Sequence, residues 1–291
     1  MLRGMCRKGS VAIVGAGNLA AALAFSLRRA GYAIEAVISR SGSAPSKRAR
    51  SLAREVEALA SAGPPPTMHA NVLWFCVPDA EIALAARSFA GKIRWKGKVA
   101  LHSSGALTSD ELAILRERGA VVASVHPMMT FVRGSRPSLA GVPFAVEGDT
   151  AAIRVARRMV KDLGGSAYSI RKKDKAAYHA WGTFASPLLT ALLATTEQVA
   201  AAAGVSRKAA RARMTPILLQ TLANYAEVGA ASGFSGPIIR GDVDTVNRHL
   251  RVLRGVPAAR EVYVALARAA LQYLPAKNKN ALKRVLDSHP S

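Results

Sequence analysis

From Val11 to about Ile170, short apolar runs alternate with stretches in which apolar positions recur every three to four residues. Period-two and continuous apolar runs of four to eight residues read as strands, and the longer period reads as amphipathic helix. The predicted strands are Val11–Val14, Ala33–Ile38, Val72–Val77, Val99–His102, Val121–Val125, Pro143–Val146 and Ala167–Ile170. Helices are predicted near Asn18–Arg29, Ser46–Ala60, Glu81–Phe89, Ser109–Glu117 and Ala151–Leu163, with helix-start chemistry at Thr108-Ser109-Asp110-Glu111. Gly63-Pro64-Pro65-Pro66 marks a loop that no helix crosses. Strands alternating with helices make βαβ units and a mainly parallel sheet.

After Asp174 the strand signal stops and the pattern is helical, with breaks at Gly204, Gly229 to Pro237, Gly255 to Pro257 and Pro275 to Asn278. The expected class is therefore α/β, a doubly wound N-terminal Rossmann domain over residues 1–170, followed by an all-α domain over residues 171–291. The length of 291 residues, half of them hydrophobic, allows two sizeable cores. Aromatics are scarce at 5%, which favours helices packed closely on a sheet of small aliphatic residues.

The segment Val11-Ala12-Ile13-Val14-Gly15-Ala16-Gly17-Asn18-Leu19-Ala20 places G-x-G-x-x-A between a strand and a helix, the context that makes this fingerprint specific for dinucleotides. Gly15 permits the tight turn, Gly17 leaves room for a diphosphate, Ala20 allows close packing, and the helix amides beginning at Asn18 and Leu19 face the phosphates. About twenty residues on, an NAD site presents an acidic residue to the ribose; this chain has Ser39-Arg40-Ser41, with Lys47 and Arg48 nearby. Arg40 suits a 2′-phosphate, so the expected cofactor is NADP(H). An ordinary loop arginine is the alternative.

Ligands of open α/β sheets lie beyond the carboxyl ends of the strands. Three ends stand out: Cys76-Val77-Pro78-Asp79, His102-Ser103-Ser104-Gly105 and Val125-His126-Pro127-Met128. Val77, Pro78 and Ser103 are assigned to the cofactor, and Ser104 and His126 to the substrate. His102 and His126 are both imidazoles able to pass a proton near neutrality, or alternatively structural histidines. No nucleophile elbow surrounds Ser103 and Ser104.

These pieces, with Phe131, Tyr178-His179-Ala180, and Gly236-Pro237-Ile238-Ile239-Arg240-Gly241-Asp242 leading to Thr245 and His249-Leu250, carry a resemblance. The chain resembles bacterial Rossmann-like proteins with a C-terminal domain of unknown function numbered 2520. That resemblance implies kinship with pyrroline-5-carboxylate reductases, deazaflavin-dependent NADP oxidoreductases, and the 6-phosphogluconate and β-hydroxyacid dehydrogenases. It implies a helical domain of the 6-phosphogluconate dehydrogenase C-terminal type, a homodimer built through it, and a cleft helix within Asp174 to Gly204. After Phe184-Ala185, where such relatives have an asparagine, this chain has Ser186-Pro187. The β-hydroxyacid dehydrogenases use a lysine with a polar partner one turn later; Lys175 and His179 have that spacing, so His102, Lys175 and His179 are the catalytic candidates. Arg240, after a Gly-Pro turn, is either a clamp for a substrate carboxylate or phosphate, or an internal tie.

The expected activity is an NADP(H)-dependent reductase or dehydrogenase acting on a small anionic carbonyl or imine; the alternative is a non-catalytic NADP-binding sensor or scaffold. The net charge of +23, 41 basic against 18 acidic residues, is dispersed without interleaved aromatics and is read as a solvated surface, not a nucleic-acid site. Two cysteines, Cys6 and Cys76, point to neither a disulfide framework nor a metal site. Residues 1–10 carry Arg3, Arg7 and Lys8 without the apolar core of a signal peptide, and Ala180 to Gly204 reads as a buried helix interrupted by Pro187, Glu197 and Gln198, not a membrane span. A cytoplasmic location is expected.

Overall fold

The structure, a computed structural model, describes residues 8–288. Cys6, Arg3 and Arg7 lie outside the described residues. The chain divides into two compact units, residues 1–183 and 184–291.

The first unit is built on eight strands: β1 (Ser10–Val14), β2 (Ala33–Ser39), β3 (Leu59–Ala62), β4 (Val72–Phe75), β5 (Val99–His102), β6 (Val121–Pro127), β7 (Pro143–Gly148) and β8 (Ser166–Ser169). Between them run α1 (Asn18–Arg29), α2 (Lys47–Glu55), α3 (Ile82–Ala90), the single turn α4 (Ala113–Arg116) and α5 (Thr150–Asp162), and α6 (Lys175–Thr183) closes the unit. The strand order is β3-β2-β1-β4-β5-β6-β7-β8. All neighbours are parallel except β6 and β7, which pair antiparallel with Val125 opposite Val146.

Alternation along β1 shows why the sheet is covered on both faces. Val11 and Ile13 join Leu23, Leu27, Leu52 and Met159 from α1, α2 and α5, whereas Ala12 and Val14 join Ile82 and Phe89 from α3. A strand buried on both faces has no polar side to write into its sequence, hence the unbroken run Val11-Ala12-Ile13-Val14.

The predicted helix Ser46–Ala60 is shorter than expected. It ends at Glu55, Glu57 turns back with φ +51°, and Leu59–Ala62 form β3, paired to Ala36–Ser39 of β2. The alanines there suit a helix by propensity, but the open edge of β2 supplies backbone partners that a last helical turn does not. The predicted strand Val72–Val77 stops at Phe75, and β6 runs on to Pro127, so His126 lies within a strand. Helix Ser109–Glu117 starts as a 3-10 turn over Ser109–Leu112, capped by Thr108.

The second unit is helical: α7 (Leu189–Ala202), α8 (Arg207–Gly233, interrupted at Gly229 with φ 76°), α9 (Pro237–Arg240), α10 (Val243–Val252), α11 (Pro257–Tyr273) and α12 (Lys279–Asp287). Its core joins Val246, Leu250, Val264, Ala267, Leu282 and Leu286. A π-helical turn, Phe184–Leu188, holds Pro187, whose missing N–H and bulky ring suit a widened turn. The expectation of a buried helix over 180–204 is corrected here: α7 contains no buried residue, and α8 buries only Ala210. Among the described residues no single helix is long and apolar enough to cross a membrane.

Candidate functional site

Gly15 leaves β1 with φ +110°, and a Cβ on it would stand 2.3 Å from the carbonyl oxygen of Cys76 at the end of β4. Only glycine permits that approach. Gly17 sits at the N-cap of α1, where a Cβ would meet nothing within 4 Å and no side chain caps the helix. Uncapped amides opening onto empty space are an anion-binding arrangement. Ala20 is fully buried against the sheet, Leu19 packs on the same core, and the Asn18 side-chain amide donates to the carbonyl of Phe131 at 3.1 Å.

Beside this turn, Val14, Ile38, Val77, Leu84 and Phe89 line a largely apolar cavity of about 440 Å³, rimmed by Ser39, Arg40 and Ser41. Its shape and lining suit an adenosine, with hydroxyls and a guanidinium at the ribose edge. Ser39 is tied into the loop: its Oγ donates to Ser61 O and accepts from the Ser46 amide. Arg40 is 79% exposed and hydrogen-bonds Glu81, which also lines the cavity. Pro78 ends the β4 loop and starts the 3-10 turn Asp79–Glu81.

A polar knot lies below the ends of β5 and β6. The Ser104 hydroxyl donates to Asp79 at 2.8 Å and accepts from the amides of Ala106 and Leu107, while the Ser104 amide donates to His102 Nδ1 at 3.1 Å. His102 is fully buried and its Nε2 lies 2.9 Å from Thr108 O. Because Nδ1 accepts, Nε2 carries the proton, and both ring nitrogens are used. Burial, with Lys175 nearby, pushes its pKa down to about 3. The catalytic role expected for His102 and the substrate contact expected for Ser104 are therefore corrected: their polar atoms are spent holding the loop. Ser103 accepts from Trp74 Nε1 at 2.8 Å and remains half-buried.

Lys175 is also placed differently from expectation. Its side chain is buried, donating to Ser104 O at 2.9 Å and Ser124 Oγ at 2.5 Å, with Glu147 Oε1 at 4.0 Å. Glu147 in turn accepts from the Ser109 amide and hydroxyl at 2.6 and 2.9 Å. Burial lowers the ammonium to about 8, opposed by Glu147 and Asp79. This ammonium holds the framework and is not presented to a ligand.

Above the knot, His126 Nδ1 lies 2.7 Å from the Tyr178 hydroxyl, with the rings edge-on. His179 is exposed, its ring centroid 6.4 Å from that of His126. Gly105 separates them: a Cβ there would stand 2.8 Å from His179 Cδ2 and 2.9 Å from His126 Nε2. Burial, then Lys175 and His179, bring His126 down to about 4, so its imidazole is neutral at pH 7. The sequence by itself assigns no role to Tyr178, Glu147, Asp79 or Gly105. A carboxylate in the otherwise apolar strand Phe144-Ala145-Val146-Glu147 was the available signal for Glu147.

Arg240 belongs to the second unit. It is exposed at the end of α9, before Gly241 in the left-handed conformation, and Asp242 caps α10 through the Thr245 amide and hydroxyl.

Two family models match, a Rossmann-like domain over residues 5–127 and the domain of unknown function DUF2520 over residues 142–270. The chain is a Rossmann-like protein with a DUF2520 domain. Its site draws on both, since Gly105 and His126 lie in the Rossmann-like match and Glu147, Lys175, Tyr178 and His179 in the DUF2520 match. A search of curated proteins returns no match. Among solved structures, a Bacteroides fragilis protein named provisionally as an NADP oxidoreductase is 22% identical, with TM-score 0.76, covering 90% of this chain and 98% of its own. An imine reductase from a Pseudomonas species is 21% identical, with TM-score 0.64 and coverages of 96% and 99%. Pyrroline carboxylate reductase from Plasmodium falciparum, solved with NADP bound, is 12% identical, with TM-score 0.58 and 98% of both chains covered. At these identities the likeness is one of fold.

Proposed function

We propose that this DUF2520 protein is an NADPH-dependent reductase, or the reverse dehydrogenase, of a small carbonyl or imine compound carrying an anionic group. The observation that carries the reading is the uncapped α1 N-terminus with open space at Gly17, beside an apolar cavity rimmed by Ser39, Arg40 and Ser41. These residues fit the cofactor: the glycine turn takes the diphosphate, the cavity the adenosine, and Arg40 the 2′-phosphate. The three structural neighbours, all named as reductases or oxidoreductases, support it.

A bound NADPH supplies the hydride. The chain's own residues orient the acceptor and move the proton. His126 Nδ1 lies 2.7 Å from the Tyr178 hydroxyl, and we assign the hydroxyl as the donor, which leaves the proton of the neutral imidazole on Nε2, beside Gly105. There it polarises a carbonyl oxygen or imine nitrogen as a hydrogen-bond donor, and exposed His179 carries a proton between that atom and water. Arg240, in the second unit, carries an exposed guanidinium suited to binding an anionic group.

A homodimer is part of the proposal. Ile217, Leu219, Leu222, Tyr225 and Val228 of α8 are each more than half exposed, an apolar surface that a second copy would cover. We place the protein in the cytoplasm, with its cofactor. The second reading, a non-catalytic NADP-binding sensor or scaffold, is favoured by the burial of His102 and Lys175, which withdraws two of three expected proton donors.

Calorimetric titration with NADPH and NADH, for the wild type and Arg40→Asp, tests the cofactor assignment. The expected result is NADPH binding that Arg40→Asp abolishes; binding of neither nucleotide by the wild type would sink the reading. Turnover in a subsequent screen of carbonyls and imines, lost in His126→Gln without loss of NADPH binding, separates enzyme from sensor.

A further inference from the structure

The loop between β6 and β7, residues 128–142, folds back over the start of α1. Phe131 accepts the Asn18 hydrogen bond and packs on the core under that helix. Five residues on, the Arg136 guanidinium lies 4.2 Å above the ring of Phe25 on α1 and 2.7 Å from Glu55 at the end of α2. Gly134, with φ +81°, and the bond from the Ser135 amide to Val132 O shape the turn between them. Between the loop and the glycine turn lies a small cavity of about 180 Å³ whose lining includes Gly17, Asn18, Arg48, Glu55, Gly134 and Arg136.

We infer that this loop is a strap over the cofactor's diphosphate and that Arg136 is a cofactor-binding residue, an inference that rests on the NADPH reading above. The cavity is too small for a nucleoside, which the separate 440 Å³ cavity accommodates; it matches a phosphate group in size, and its two guanidinium groups outnumber its one carboxylate, Glu55. Its wall combines α1 amides without a cap, a glycine that leaves space, and guanidinium groups from α2 and from the strap. Planar guanidinium groups bind phosphate oxygens in pairs, and a helix N-terminus adds its positive end. Arg136 is at present paired with Glu55, but the pair is exposed (54% and 36%) and such pairs are weak. A diphosphate beside uncapped amides therefore outcompetes Glu55 for it. Phe25 keeps the guanidinium close during the exchange, since stacking on an aromatic face survives a change of in-plane partner.

Arg40 and Arg136 then read different parts of one molecule. The 2′-phosphate is read by Arg40, the diphosphate by Arg136.

The test is a comparison of NADPH with adenosine 2′-monophosphate, which has the 2′-phosphate and no diphosphate, on the wild type, Arg136→Gln and Arg40→Asp. Arg136→Gln is expected to weaken NADPH by roughly five- to tenfold while leaving adenosine 2′-monophosphate unchanged. Arg40→Asp is expected to weaken both. Wild-type affinity for NADPH in Arg136→Gln, or an equal loss for the two ligands, would overturn the strap. Wild-type protein that binds neither ligand would instead remove the NADPH reading itself. Hydrogen exchange gives the second measurement: amides of residues 131–136 should slow when NADPH is added to the wild type, and an unchanged rate there counts against the strap.

Discussion

The ammonium of Lys175 donates to the carbonyl oxygen of Ser104 at 2.9 Å, so the first residue of α6 holds the loop that follows β5. Through Ser104 that bond reaches Asp79 and His102, and through Lys175 it reaches Ser124 and Glu147, so residues on or just after β4, β5, β6 and β7 share one polar network. The network presents Gly105 to His126 and His179.

Removing the ammonium leaves Glu147 with Ser109 alone in a buried site. Lys175→Met should destabilise the first unit by about 3–5 kcal/mol, the usual cost of orphaning a buried charge. Adding Glu147→Gln should recover part of that loss. Urea midpoints followed by tryptophan fluorescence measure both; a single variant as stable as wild type would contradict the network.

Gly105 lies against both imidazoles. In Gly105→Ala, the new methyl lies under 3.0 Å from both His126 and His179, which must move. Turnover should fall by more than about tenfold, with NADPH affinity unchanged, because 1 Å of misplacement is enough. Equal loss of both quantities would mean the glycine serves the nucleotide.

The two glycines of the turn should fail in opposite ways. Gly15→Ala meets backbone at 2.3 Å in a positive-φ conformation and should lose more than about 2 kcal/mol of stability. Gly17→Ala meets nothing within 4 Å, so its melting temperature should stay near wild type while NADPH binding weakens by at least about tenfold.

Acid should unfold the protein earlier than its carboxylates alone require. His126 and His102 titrate near 4 and 3 when folded, against about 6.5 in an unfolded chain. Between those values the unfolded state binds more protons, so stability is full above about pH 6.5 and falls as pH drops toward 4. Melting temperatures from pH 7 to 4.5 should show this decline, and His126→Gln should flatten it.

The exposed apolar side chains of α8 predict a dimer in solution. Sedimentation should give twice the chain mass of 30.6 kDa, and Leu222→Arg should shift it to monomer or lower the association constant. A monomeric wild type would count against the interface.

The local pattern alone carried the sheet, the glycine turn and the helical second half. A strand buried on both faces writes a continuous apolar run, and Gly15 and Gly17 at fixed spacing signal a turn whatever surrounds them. Edge pairing was not local: β3 exists because β2 offers it partners 23 residues away, Ala36 to Leu59, which helix propensity at Ala58 and Ala60 cannot register. The same limit applied to the chemistry. Lys175 and His179 share a helix face by spacing, yet depth separates them, one sealed against Glu147 and Ser124 and the other open. Residue type and spacing determined that histidines, a lysine and serines would gather at the strand ends. Only packing decided which of them are sealed in and which face a ligand, because burial and hydrogen-bond saturation are properties of neighbours distant in sequence.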